Sequence, residues 1–350
     1  MTTKRLRIAV AGAGMIGRRH VDLVSQSRRC ELTAIVDPAP FARQVASKAG
    51  VPLYGSLADL LARERLDGII LATPNQLHVE QGLACIAAGV PALIEKPIAD
   101  SVEAAERLCE AADRAEVKLM TGHHRQHSPI MAKATEIVRS GRLGRIVAVV
   151  GTAMYYKPDE YFNDAPWRRQ QGGGPILINL IHEIGNLRAL CGEIAAVQAI
   201  VSQTVRGLPV EDTAAINLRF ANGALGTFML SDTAASGRSW EQTSQEDKSF
   251  PTYPDEDCYI IAGTDGSLAI PTMRLKTVAN STGHSWLTPL QSEIATIERA
   301  DPLVRQLENF CAVIRGEAEP VVTARDGLQN LRVIEAIKQA ASGERIVPLY

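Results

Sequence analysis

The stretch from Leu6 to Asp37 permits very few folds. Leu6-Arg7-Ile8-Ala9-Val10-Ala11 is a short β-prone run that enters Gly12-Ala13-Gly14-Met15-Ile16-Gly17 and then a helix. A second apolar run, Leu32 to Val36, ends in Asp37. A bare G-x-G-x-x-G is weak, but a strand before it, a helix after it and an acid twenty residues beyond Gly17 supply the context of a dinucleotide-binding unit. Gly12 suits the tight turn, Gly14 lets backbone approach a pyrophosphate, and Gly17 lets the helix sit close to the strand. Met15 and Ile16 open that helix, where free N–H groups favour an anion. Asp37 can accept hydrogen bonds from an adenosine ribose and would repel a 2′-phosphate. Pro38-Ala39-Pro40 offers no cation to hold such a phosphate, although Arg43 is close. NAD is expected, with NADP the less favoured cofactor.

At 350 residues the chain is long for one core, and two domains are expected. A net charge of −2 gives no electrostatic case for nucleic acid or an anionic membrane. No apolar run approaches membrane-spanning length. Met1 to Arg5 leads straight into the first strand, so the expectation is a cytoplasmic protein without a signal peptide. The six cysteines are scattered and form no C-x-x-C pair, so no metal site is expected from them.

Strands and helices alternate through the first third, the pattern of a parallel sheet with crossover helices. Strands are expected at Ile69 to Thr73, Ala92 to Glu95 and Val117 to Thr121, with helices over about Gln76 to Ala88 and Ser101 to Ala115. The character changes after Gly122. Ser128-Pro129 caps a helix ending near Ser140-Gly141. Longer β runs follow at Ile146 to Met154, Ala195 to Val205, Thr213 to Phe220 and Ala224 to Leu230. The last two are joined through Asn222-Gly223, a hairpin signal that predicts a largely antiparallel sheet. Helices over Leu303 to Arg315 and Gly327 to Ala341 close the chain, with Asp326 read as the N-cap of the second. Ser231 to Asp257 reads as a long polar loop. The expected fold class is α/β: a doubly wound Rossmann domain over residues 1–122, then an α/β domain with an open, mainly antiparallel sheet over residues 123–350.

Three clusters fall at strand carboxyl ends, where open α/β sheets place their ligands. They are Thr73-Pro74-Asn75 with His78, Glu95-Lys96-Pro97, and His123-His124-Arg125. Lys96 stands out, since a lysine at the mouth of a nucleotide cleft can hold a substrate hydroxyl and stabilise developing negative charge. The bland alternative is a surface lysine before a proline; for Asn75 it is a turn residue after Pro74.

Together, Gly12-x-Gly14-x-x-Gly17, Thr73-Pro74-Asn75-x-x-His78 and Glu95-Lys96-Pro97 resemble the glucose–fructose oxidoreductase/inositol dehydrogenase family. The resemblance runs on through Gly172-Gly173-Gly174, the helix containing His182, Gly263-Thr264-x-Gly266-Ser267-Leu268 and the last helix before Ile346-Val347-Pro348-Leu349. It implies an oxidoreductase acting on a sugar, cyclitol or related polyol with NAD or NADP. It further implies a homodimer or homotetramer assembled through the exposed face of the second sheet. Carried over by position, Lys96 contacts the reacting hydroxyl and His182 accepts or relays its proton, a task for which a neutral imidazole is suited. Thr73, Pro74, Asn75, His78, Glu95 and Lys96 join the glycine turn as cofactor contacts. The chain departs from the resemblance at two positions: family members frequently carry an aspartate four residues before the histidine, here Ile178, and many carry an acid three residues after it, here Gly185.

Asn179, His182, Glu183 and Asn186 recur at i, i+3, i+4 and i+7, one polar stripe if the helix is regular. The run Gly172 to Gly174 suits close approach of backbone to a ligand. Substrate recognition is expected from Tyr155-Tyr156-Lys157 through Trp167-Arg168-Arg169, with Lys96, His124, Tyr155, Trp167, Arg168, Asn179 and His182 as candidate contacts. Aromatic faces stack on sugars and arginines bind carboxylates. Three further readings stay open: a reductase, a dihydrodiol dehydrogenase, and a non-catalytic NAD-binding sensor that has lost the family acid.

Overall fold

The computed structural model of the chain describes residues 4–170, 172–279 and 284–349. They form two compact units, one running to His127 and taking in Pro302–Leu331, the other comprising Ser128–Asp301 and the chain from Arg332 onward.

The first unit is built on six parallel strands: β1 (Leu6–Ala11), β2 (Cys30–Val36), β3 (Leu53–Tyr54), β4 (Gly68–Leu71), β5 (Ala92–Glu95) and β6 (Leu119–Gly122). Their order is β3-β2-β1-β4-β5-β6, the doubly wound arrangement whose ligand crevice lies at the carboxyl ends near β1 and β4. The strands are apolar because helices cover both faces; all four residues of β4 and of β5 are buried. The helix Val102–Ala115 starts where Ser101 accepts a hydrogen bond from the Ala104 N–H. The late helix Pro302–Ile314 belongs to this unit, and Gly68 makes room for its Phe310 and Ile314.

The second unit carries nine strands: β7 (Ile146–Met154), β8 (Ile194–Ser202), β9 (Thr213–Phe220), β10 (Leu225–Ser231), β11 (Tyr259–Gly263), β12 (Gly266–Ile270), β13 (Arg274–Thr277), β14 (Gln291–Ile294) and β15 (Val347–Pro348). They lie in the order β14-β13-β12-β11-β7-β10-β9-β8-β15. Every pairing is antiparallel except β7 with β10. The β9–β10 hairpin turns at Asn222-Gly223, where Gly223 takes a φ of +90° and Asn222 Oδ1 accepts from the Ala224 N–H. Strand β9 alternates buried and exposed positions, so one face of the sheet meets the helices. The other presents Val150, Ile200, Leu225, Met229 and Ile260 to solvent.

Three sequence expectations change here. The last helix begins at Ala324, and Thr323 rather than Asp326 is its cap. Thr323 Oγ1 accepts from the Asp326 N–H while Asp326 Oδ2 accepts from the Thr323 N–H, a reciprocal capping box. The segment Ser231 to Asp257 is not wholly loop: Ser239 caps a short helix, Trp240–Thr243, whose indole is buried against Tyr259 and donates to Glu246. The chain from Ile176 to Leu180 is a π-turn ahead of the α-helix Ile181–Cys191, and this breaks the regular spacing on which the polar stripe depended.

Candidate active site

In the first unit the glycine turn has the geometry its sequence implies. Gly12 has a φ of +93°, and a Cβ on it would lie 2.3 Å from the Ala72 carbonyl oxygen. A Cβ on Gly17 would lie 2.0 Å from the Gly12 carbonyl oxygen, so no larger residue lets the helix start this close to the turn. Gly14 faces open space. The helix Met15–Gln26 has no side-chain cap and no acid in its first turn, leaving its first N–H groups to an external anion. Met15 is exposed beside it and Ile16 half-buried. Asp37, at the end of β2, accepts from the Ala13 N–H at 2.7 Å and the Ala39 N–H at 2.8 Å. The carboxylate thus ties the turn to β2, and its two oxygens keep further lone pairs for a ribose. These residues fit NAD.

Behind the turn, β4 and β5 end in clusters that hold one another. His78 is buried; its Nδ1 lies 2.8 Å from the Pro97 carbonyl and its Nε2 2.9 Å from the Thr73 carbonyl. Burial pushes the ring's pKa down, against both of those hydrogen bonds. Carbonyl oxygens only accept, so a neutral ring donates to one of the two at a time, and from between them His78 ties the Thr73-Pro74-Asn75 bend to the Lys96-Pro97 turn. Pro74 is exposed and Asn75 half-buried at that bend.

Glu95 also turns inward. Its Oε1 lies 2.8 Å from Nε2 of His20, a buried residue on the helix that follows the glycine turn, and its Oε2 accepts from the Lys96 N–H at 3.2 Å. Burial alone would raise this carboxyl's pKa. The hydrogen bond and charge of His20, with the charge of Lys96, outweigh it and hold the group below the usual carboxylate range. A Cβ on Gly122 would come within 2.9 Å of the same carboxyl, so glycine at the end of β6 makes its space. His124 is half-buried, and burial, with the charge of Arg125, pushes its imidazole down to about 3, neutral near pH 7. Lys96 is half-buried at the carboxyl end of β5.

In the second unit His182 is buried in the first turn of the helix Ile181–Cys191. Glu183 and Asn186 do not face solvent: both contact the buried hydroxyl of Tyr259 on β11, with Asn186 Nδ2 donating at 3.1 Å. Asn179 goes elsewhere, accepting at Oδ1 from Lys157 Nζ at 2.8 Å. The glycine run ahead of them is shaped by protein neighbours. A Cβ on Gly173 would meet the Arg168 backbone at 2.6 Å, and one on Gly174 would meet the Glu211 carboxylate at 2.2 Å. That carboxylate accepts from the Ile176 N–H at 2.9 Å and so anchors the π-turn; burial raises its pKa.

Lys157 is 8% exposed, with its Nζ 3.5 Å from Asp232 and over the rings of Tyr155 and Tyr161. Burial pushes it down to about 8, although Asp232 and Glu241 favour its charge. Arg206 pairs with the other oxygen of Asp232 at 3.0 Å. Arg168 lies over the Tyr161 ring at 3.8 Å and donates to the Tyr161 carbonyl, while Trp167 beside it is exposed. Tyr155, half-buried, packs against the core of this unit. Sequence reasoning named Lys157 only within an aromatic segment and passed over His20 entirely. The signal for His20 was its place three residues beyond Gly17, on the helix face turned toward the sheet. Among the described residues no group of three or more His, Cys, Asp or Glu side chains could hold a metal ion, and no helix is long and apolar enough to cross a membrane.

Comparison with known proteins agrees with this architecture. Residues 6–123 match an oxidoreductase family with an NAD-binding Rossmann fold, and residues 135–349 match the C-terminal alpha/beta domain of the same family. The rhizopine catabolism protein MocA of Rhizobium meliloti is 26% identical, over 97% of this chain and 96% of the relative. Inositol 2-dehydrogenase of the same organism (strain 1021) is 22% identical, over 98% of this chain and 99% of the relative. The WlbA dehydrogenase of Bordetella pertussis, crystallised with NADH and UDP-GlcNAcA, superposes with a TM-score of 0.78 at 26% identity, covering 99% of both chains. With the glycine turn open to a phosphate and both halves matched, the chain is an NAD-binding oxidoreductase that belongs to the glucose–fructose oxidoreductase/inositol dehydrogenase/MocA family.

Proposed function

We propose that this chain transfers a hydride between NAD and a secondary alcohol of a sugar, cyclitol or sugar acid. The observation that carries the reading is Lys96 at the end of β5, in the sheet whose first strand feeds the glycine turn. Bound NAD supplies the hydride acceptor. Lys96 binds the substrate hydroxyl and favours the alkoxide character that develops as its proton leaves. His182 accepts or relays that proton. His78 and Glu95 act one step back, through the turns that carry Thr73 and Lys96. The relatives support the substrate class, since one is named for inositol and another was crystallised with a sugar nucleotide. The apolar outer face of the second sheet supports burial against a second copy, as a homodimer or homotetramer.

The test is nicotinamide absorbance with purified protein, NAD or NADP, and a panel of sugars, cyclitols and sugar acids. Wild type reduces NAD with one class, and Lys96→Ala loses turnover by about a hundredfold or more while NADH still binds. Full turnover in Lys96→Ala refutes the assignment. Tight NADH binding with no oxidation or ketone reduction by wild type favours a sensor, for which Ile178 in place of the family acid is the supporting feature.

A further inference from the structure

The contact between Lys157 and Asn179 fixes what Asn179 can offer. An ammonium group only donates, so the oxygen of the Asn179 amide must face Lys157, and the amide N–H groups must face away. Among the described residues no protein acceptor lies within hydrogen-bond distance of Asn179 Nδ2, and the side chain is half-buried rather than enclosed. The π-turn that carries it is pinned at Ile176 by Glu211, and the donor is presented three residues before His182.

The surroundings favour an anion opposite that donor. Lys157 polarises the amide from behind, strengthening the N–H groups on the far side. Arg168 shares the Tyr161 ring with Lys157, and its charge acts on Lys157. Asp232, the buried acid nearest Lys157, is divided between Lys157 and Arg206. Glu241 is the other acid acting on Lys157. One residue earlier the chain has the apolar Ile178, so the polar group this turn offers is the fixed donor at Asn179.

We propose that the substrate carries a carboxylate near its reacting carbinol, and that Asn179, held by Lys157, donates to it, with Arg168 on the shared Tyr161 ring adding positive charge. Lys157 is then a positioning residue and Asn179 a specificity-determining one. This rests on the reading of His182 as part of the reacting site, and the experiment separates the two.

Full-length protein is offered matched acid and neutral compounds: D-glucuronate with D-glucose, D-galacturonate with D-galactose, and D-gluconate with D-sorbitol. Turnover with NAD and equilibrium binding to the NADH complex by calorimetry are both measured. The acid member of at least one pair is favoured by about tenfold or more, the scale of one charge-assisted hydrogen bond. Asn179→Asp, which turns the donor into an acceptor, removes that preference. Lys157→Met, which frees the amide to rotate, narrows it, and Lys157→Arg restores it in part. NADH affinity and circular dichroism show that each variant folds.

Equal or better binding of the neutral members overturns the proposal, as does failure of every acid to bind or an acid preference that survives in Asn179→Asp. If acids bind and the variants shift that binding without any turnover, the carboxylate reading stands and the dehydrogenase reading falls. If neutral sugars are oxidised as well as acids, the reverse holds.

Discussion

Replacing His20 by leucine tests the buried pair beneath the glycine turn. His20 and Glu95 are 1% and 6% exposed, with 2.8 Å between Nε2 and Oε1. The Glu95 carboxyl is held below its usual range, so near pH 7 it is ionised, can only accept, and His20 must donate. Leucine removes the donor and leaves the carboxylate with the Lys96 N–H at 3.2 Å. Breaking a buried pair by deleting one partner costs about 3–5 kcal/mol, and the surviving amide and nearby charges place His20→Leu near the lower end, ~3 kcal/mol. Urea denaturation followed by circular dichroism measures it. His20→Leu/Glu95→Leu should recover most of the loss, because no charge is then left buried. The pH dependence has a definite sign. A carboxyl with a lowered folded pKa contributes stability above its unfolded value and loses it as pH falls through the folded value. In His20→Leu the folded value rises toward or above the unfolded one, so this carboxyl's acid-side loss shrinks and the stability gap between wild type and variant narrows as pH falls. A single-mutant loss below ~0.5 kcal/mol, or a double mutant less stable than the single, refutes the reasoning.

Two further outcomes are expected. Gly17→Ala puts a Cβ 2.0 Å from the Gly12 carbonyl oxygen and 2.8 Å from its carbon, both backbone atoms that cannot swing aside. The helix must move off the turn, and NADH affinity by fluorescence titration should fall by about tenfold or more; an unchanged dissociation constant would show that the close packing does not shape the cofactor site. Lys157, facing Asp232, Glu241, Arg168, Tyr155 and Tyr161, loses its proton as pH rises through about 8. The acid-to-neutral ratio of kcat/KM should decline across that range in wild type and stay flat in Lys157→Met. The ratio cancels any titration of His182 common to both substrates, so a parallel decline in both proteins would assign the effect to another group.

What the sequence settled by itself is local in the chain. The glycine turn, the limits of β5, β7 and β9, the Asn222-Gly223 hairpin and the start of a helix near Ser101 all follow from apolar period and turn chemistry over spans of a few residues. Lys96 was legible for the same reason, since the end of an apolar strand fixes its place. Contacts between distant segments decided the rest. His20 meets Glu95 across seventy-five positions, and Lys157 meets Asn179 across twenty-two. The polar stripe around His182 divided because a π-turn, held by Glu211, sends Asn179 to Lys157 while Glu183 and Asn186 meet Tyr259. A buried polar group must find its partner wherever the fold supplies one, and periodicity along a single helix carries no information about that partner.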